Sequence, residues 1–186
     1  MRGSPQASNV PAWGTIVTCV AAARPDLPIG VLDSRGVIGH YALMAGSLQD
    51  SLRTLSERFV EALPAWRPHL DYSLDSGDVL DQFIDEMLAT GDPISDRLIM
   101  GIGAYLGETF IRNLGGSWAA MPSGPTPDDP GIKWQGLNVL PFEKVRKRIE
   151  LGPTHSLGFF LRECQDSAAV PPDQRAGRLR RFSRKD

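Results

Sequence analysis

One ten-residue run, Leu98-Ile99-Met100-Gly101-Ile102-Gly103-Ala104-Tyr105-Leu106-Gly107, constrains this chain more than any other. Nearly every position is apolar or glycine. A helix of that composition has no polar face to offer water and must be buried on all sides. Ten residues are about half of what a helix needs to cross a bilayer, so the run belongs to a protein core and not to a membrane span. Other elements must therefore surround it. The pattern along the rest of the chain predicts an α+β domain, four to five helices packed around a small antiparallel sheet. The 186 residues leave room for one ordinary domain, and the hydrophobic content of 41% suffices for a core.

The run sits inside a helix predicted over roughly 94–114. Gly103 and Gly107 are four apart and share a face, which predicts a groove where another element's backbone comes close. Each glycine costs about 1 kcal/mol of helix propensity, so close packing must offset the loss. Glu108 and Arg112 stand at i, i+4 in the favourable order for an ion pair. Gly115-Gly116 ends the helix.

The neighbours follow from periodicity. Leu48, Leu52, Leu55, Phe59 and Leu63 recur at three- and four-residue steps, with Ser47 as N-cap and Asp50 at the third helical position. Pro64 stops that helix. Ser73 is expected to cap a second helix, in which Val79/Leu80, Phe83/Ile84 and Met87/Leu88 form an apolar stripe and Asp78, Asp81, Asp85 and Glu86 lie outside it. Residues 117–121 read as a strand, and residues 132–137 as a second that Asn138 to Leu140 extend. Pro141 opens a basic helix with Phe142, Val145 and Ile149 inward. Thr154 is expected to cap a last helix carrying Leu157, Phe160, Leu161 and Cys164 on one side.

This divides the chain into a disordered start over 1–13, an ambiguous extension over 14–44, a single α+β domain over 45–168 and a disordered basic tail over 169–186. In the extension, Thr15, Ile16, Val17, Thr18 and Val20 are β-branched and read as a strand in preference to an export signal, since the preceding stretch carries only one cation, Arg2, and is interrupted by Pro5 and Pro11.

The net charge of −2 conceals a segregated layout. Eight carboxylates from Asp71 to Asp96 have no Lys or Arg among them. Lys144, Arg146, Lys147 and Arg148 cluster, and the tail adds Arg175, Arg178, Arg180, Arg181, Arg184 and Lys185. Either the acidic run is a solvated helix face or one of these patches meets a partner. A uniformly basic nucleic-acid binder is excluded as a first reading.

Chemistry is sparse. His40, His69 and His155 do not stand at metal-ligand spacing, and two cysteines, Cys19 and Cys164, build neither a zinc site nor a disulfide framework. No phosphate-binding or nucleophile-elbow motif has its required flanks. His69 and Asp71 would share a face if the segment were a strand. No catalytic residue, metal or cofactor is assigned. The best ligand-binding candidates are Tyr105, Glu108, Arg112 and Trp118, which a glycine-lined groove would gather.

The residues Asp71-Tyr72-Ser73, then Gly103-Ala104-Tyr105-Leu106-Gly107-Glu108, then Gly115-Gly116-Ser117-Trp118 resemble a family of small bacterial proteins, a domain of unknown function frequent in actinobacteria. The resemblance covers about residues 45–150 and implies no activity. Leu74 stands where proline is expected in that family.

The leading expectation is a cytoplasmic, non-enzymatic module that binds another protein. The first alternative is an enzyme or small-ligand binder using Tyr105, Glu108 and Arg112, with His69 and Asp71. The second is association with nucleic acid through the basic tail. Converging side chains in a deep pocket would favour the first alternative, and side chains packed or paired with one another the module.

Overall fold

A computed structural model describes residues 47–121 and 130–170. The chain divides into two units, Met1–Val31 and Leu32–Asp186, and every described residue belongs to the second. The expectations for residues 1–44, for most of the proline-rich loop after Met121 and for the tail from 171 onward lie outside the described residues, as do Cys19 and His40.

Helix α1, Leu48–Glu61, begins as its sequence dictates. Ser47 accepts from the Asp50 N–H and the Asp50 carboxylate accepts from the Ser47 N–H, a complete capping box. Leu52 and Phe59 are buried along its apolar stripe. A short 3-10 turn, Arg67–His69, follows. Helix α2 spans Ser76–Ala89 and its N-cap is Asp75, so Ser73 does not cap it. The chain instead turns at Tyr72, whose φ of +62° is left-handed. Asp71 closes that turn by accepting from the Ser73 N–H at 2.9 Å and the Ser76 hydroxyl at 2.9 Å.

Helix α3, Asp96–Leu114, is capped by Ser95 and runs through the middle of the domain. Its buried decad is Gly101 to Phe110, three residues later than composition predicts, while Leu98, Ile99 and Met100 are only partly covered. The reason lies in where the covering rings stand. Phe59 of α1 lies over Gly101, Tyr72 stacks on Tyr105, and the two other rings reach Gly103 and Gly107. Those two glycines do face close neighbours, but the neighbours are the Phe142 and Trp118 rings and not backbones.

Strands β1 (Ser117–Ala120), β2 (Pro130–Trp134) and β3 (Leu137–Val139) form one antiparallel sheet in that order, with Trp118 opposite Ile132 and Ile132 opposite Val139. The single strand expected over 132–137 is broken. Gln135 and Gly136 adopt φ of +49° and +80° and make a two-residue hairpin turn. Helix α4, Pro141–Leu151, and helix α5, Leu157–Ala168, complete the fold. A 3-10 turn, Gly152–His155, moves the cap of α5 to Ser156 from the expected Thr154. Helix α3 packs against α1, α4 and α5, and α2 packs against α5. The architecture is α+β, five helices with a three-stranded antiparallel sheet.

Candidate functional site

The four candidate residues divide between the last turns of α3 and the first residues of β1. Gly115 and Gly116 have φ of +82° and +101°, which reverses the chain and lays Trp118 back across α3. Its indole N–H donates to Glu108 Oε1 at 2.8 Å. Glu108 is 3% exposed, and its other oxygen stands 3.9 Å from Arg112 Nε. Both carboxylate oxygens are thus engaged, one by a neutral donor and one by a cation. The expected Glu108–Arg112 pair is present, with Trp118 as the closer partner.

Tyr105 is fully buried. Its hydroxyl accepts from the Tyr72 N–H at 2.9 Å, and the two rings stack with centroids 4.5 Å apart. Burial pushes the Tyr105 phenol above its ordinary range, which removes it further from acid–base work near neutrality. Tyr72 is held from every side. Its carbonyl accepts from Asn113 at 2.8 Å and its hydroxyl shares a 2.8 Å hydrogen bond with Ser56. The Arg112 guanidinium lies 3.5 Å from its ring centroid. A tyrosine in the left-handed region costs on the order of 1–3 kcal/mol, and these bonds and stacks over-determine it. Tyr72 carries no sequence signal beyond its neighbours.

The structure therefore brings Tyr105, Glu108, Arg112 and Trp118 together, but as packing and hydrogen bonds with one another. Only Arg112 keeps a substantial face to solvent, 38% of its side chain. His69 and Asp71 do not form the strand pair considered for them. His69 ends a 3-10 turn, and the Asp71 carboxylate is committed to Ser73 and Ser76. Those bonds hold the Asp71 carboxyl below the usual carboxylate range.

A second polar cluster was not anticipated. Arg148 of α4 is 2% exposed; its Nε donates to Asp81 at 2.7 Å and its Nη2 to Asp85 at 2.6 Å. The Asp81 carboxylate also accepts from the Ser156 hydroxyl at 2.6 Å and the N–H groups of Leu157 and Gly158. One carboxylate from α2 therefore caps α5 and pairs with α4, where the positive end of the α5 dipole favours it. Arg162 of α5 pairs with Asp78 at 2.5 Å on the surface. Much of the acidic face of α2 is thus answered from within the domain. The signal existed: Arg148 lies three residues after Val145, on the same stripe as Phe142. Its charge argues for the surface and hides that position.

Cys164 is buried on α5 as the apolar stripe implies, and burial pushes its thiol up to about 12. No group of three or more potential metal-ligating side chains occurs among the described residues. No helix among them is long and apolar enough to cross a membrane.

Comparison of the chain with family models, with curated proteins and with solved structures returns no match.

Proposed function

We propose that the described domain is a non-enzymatic module that binds another protein and works in the cytoplasm. One observation carries the reading. The four side chains best suited to a ligand site spend their polar groups on one another, with Glu108 on Trp118 and Arg112 and Tyr105 on Tyr72. Chemistry on a substrate needs an acid, base or nucleophile within reach of it, and this cluster presents none. Its glycines and aromatics do the work of a fold signature, which also accords with the resemblance to small actinobacterial proteins.

The surface supplies the complement. Leu151 and Phe159, at the end of α4 and the start of α5, are 54% and 46% exposed. Exposed aromatic and aliphatic side chains beside charged residues are typical of the buried centre and polar rim of a protein interface. The test is a two-step one. Partners captured from the host on the tagged chain are identified, then remeasured with purified components against Leu151→Ser and Phe159→Ser. A purified partner whose affinity falls at least tenfold with either change supports the module. Turnover of a small molecule that is abolished by Glu108→Gln in a chain that still folds overturns it.

A further inference from the structure

Among the described residues, the large apolar side chains that stay exposed are Leu88, Leu151 and Phe159, at 39%, 54% and 46%. They come from different helices, yet the contacts between those helices bring them to one end of the domain. Asp78 of α2 meets Arg162 of α5, and Asp81 accepts from the N–H groups of Leu157 and Gly158, so α2 and α5 run antiparallel. Lys144 of α4 lies over the Phe160 ring, and Arg148, one turn later, reaches the Asp81 carboxylate that caps α5, so α4 also opposes α5. The last turns of α2 and α4 therefore lie beside the first turn of α5. Leu88 is one turn past Asp85 and Leu151 one turn past Arg148, and Asp85 and Arg148 meet at 2.6 Å.

A carboxylate stands beside each of these side chains. Asp92 follows Leu88 in the loop after α2, Glu150 precedes Leu151, and Glu163 is one helical turn from Phe159. None of these carboxylates makes a hydrogen bond or ion pair among the described residues. The cations nearby are engaged within the domain. Arg148 is held by Asp81 and Asp85, Arg162 by Asp78, and Lys147 faces Glu143 at 4.0 Å. Lys144 lies over the Phe160 ring, and Arg146 stands about 140° around α4 from Leu151. This end of the domain shows apolar side chains in a rim of unanswered negative charge.

We propose that this end is the docking surface for a partner protein and that it takes a cationic amphipathic segment, bulky apolar residues flanked by Lys or Arg. The inference rests on the reading of the domain as a protein-binding module and adds the chemistry of what it binds.

The apolar residues of such a segment cover Leu88, Leu151 and Phe159 and supply most of the affinity. Its cations meet Asp92, Glu150 and Glu163 at the rim, where charge sets the choice of partner more than the strength of binding. An acidic segment is rejected, because its carboxylates come against these three with no cation at hand to answer them.

Phage-displayed random dodecapeptides are panned on the immobilised full chain, and enriched sequences are remade as fluorescent peptides for anisotropy titrations. Peptides with a net positive charge and at least two bulky apolar residues are expected. Their affinity should fall about tenfold with Leu88→Ser or Leu151→Ser, which remove apolar area from the centre of the patch. It should fall about two- to fivefold with Glu150→Gln or Glu163→Gln, and stay unchanged with Glu61→Gln on α1. It should also weaken between about 50 mM and about 500 mM salt. Circular dichroism checks that each variant keeps the parent fold. Neutral or acidic peptides that still need Leu88 or Leu151 would overturn the proposed chemistry and leave the module reading intact, whereas no enrichment at all would count against both. Binding indifferent to all four patch substitutions would overturn the site. So would a full chain whose own tail covers it, seen as at least tenfold tighter peptide binding after Arg178→Glu and Arg181→Glu, or one that dimerises until Leu151→Ser makes it monomeric in sedimentation.

Discussion

Gly107→Ala is the sharpest perturbation of the packing described here. A Cβ at Gly107 would be driven into Cη2 and Cζ2 of Trp118, far inside the 3.4 Å at which carbon atoms make ordinary contact. The methyl cannot be accommodated unless the indole moves. Overpacking of this kind costs about 1–3 kcal/mol. A displaced indole also withdraws its N–H from Glu108 Oε1, and a hydrogen bond to a charged group is worth about 1.5–3 kcal/mol. Against this stands about 1 kcal/mol of helix propensity that alanine gains over glycine. The net expectation is a loss of about 1.5–5 kcal/mol, read from urea unfolding followed by tryptophan fluorescence and from the melting temperature. Trp118→Phe supplies the control. It trims the atoms that clash and removes the donor, so Gly107→Ala should cost much less in that background, and the two changes should be strongly non-additive. A Gly107→Ala chain that melts at or above the parent temperature would refute the close-packing argument. So would simple additivity in the double variant.

Arg148→Ala should cost about 3–5 kcal/mol, because it leaves the carboxylate of Asp81 without its buried cation. The loss should hardly change between low and high salt in urea titrations. Arg162→Ala breaks an ion pair whose side chains are both about half exposed, so its effect should be about 1 kcal/mol or less and fade with salt. In the folded chain Cys164, with its thiol pushed up to about 12, should resist iodoacetamide at pH 8 and react fully in denaturant, as peptide mass spectrometry would show. The Asp71 carboxyl is held low by Ser73 and Ser76, so its contribution is complete above the unfolded carboxylate pKa near 3.9 and is lost as pH falls through the lower folded value. Acid unfolding of Asp71→Asn should therefore be less steep below pH 4 than that of the parent. Deletion of residues 171–186 should leave the melting temperature unchanged, and any salt-sensitive binding to nucleic acid should disappear with it.

Local rules carried much of this fold. Ser47 and Asp50 write their capping box in adjacent residues, Pro141 opens α4, and Gly115-Gly116 closes α3, because capping and backbone freedom depend on neighbours in the chain. Periodicity was equally readable: Leu52 and Phe59, or Leu157, Leu161 and Cys164, line one face whatever packs against it. The composition of residues 98–107 announced a buried helix, and residues 101–107 of that run are buried while 98–100 are only partly covered.

What composition could not supply was the identity of each covering group. The buried decad begins at Gly101 because Phe59 comes over it from another helix, and no property of residues 98–100 reveals that the covering starts after them. Gly103 and Gly107 read as a groove for a backbone. They hold rings because α4 and β1 happen to deliver Phe142 and Trp118 there. Tyr72 is held in a left-handed backbone by Tyr105 and Asn113, which bond its N–H and carbonyl from 33 and 41 positions away. Asp81 and Arg148 are the clearest case. Read one at a time, each charge belongs on a surface, since burying one alone is costly. Only the tertiary fold makes them partners across 67 positions, and Ser156 and the first N–H groups of α5 add further donors to the Asp81 carboxylate, while Arg148 keeps one buried nitrogen, Nη1, without a hydrogen bond. Capping, turn and stripe signals act over a few residues and survive in the sequence. Pairing between distant polar groups is decided by which helices meet, and that depends on the whole chain at once.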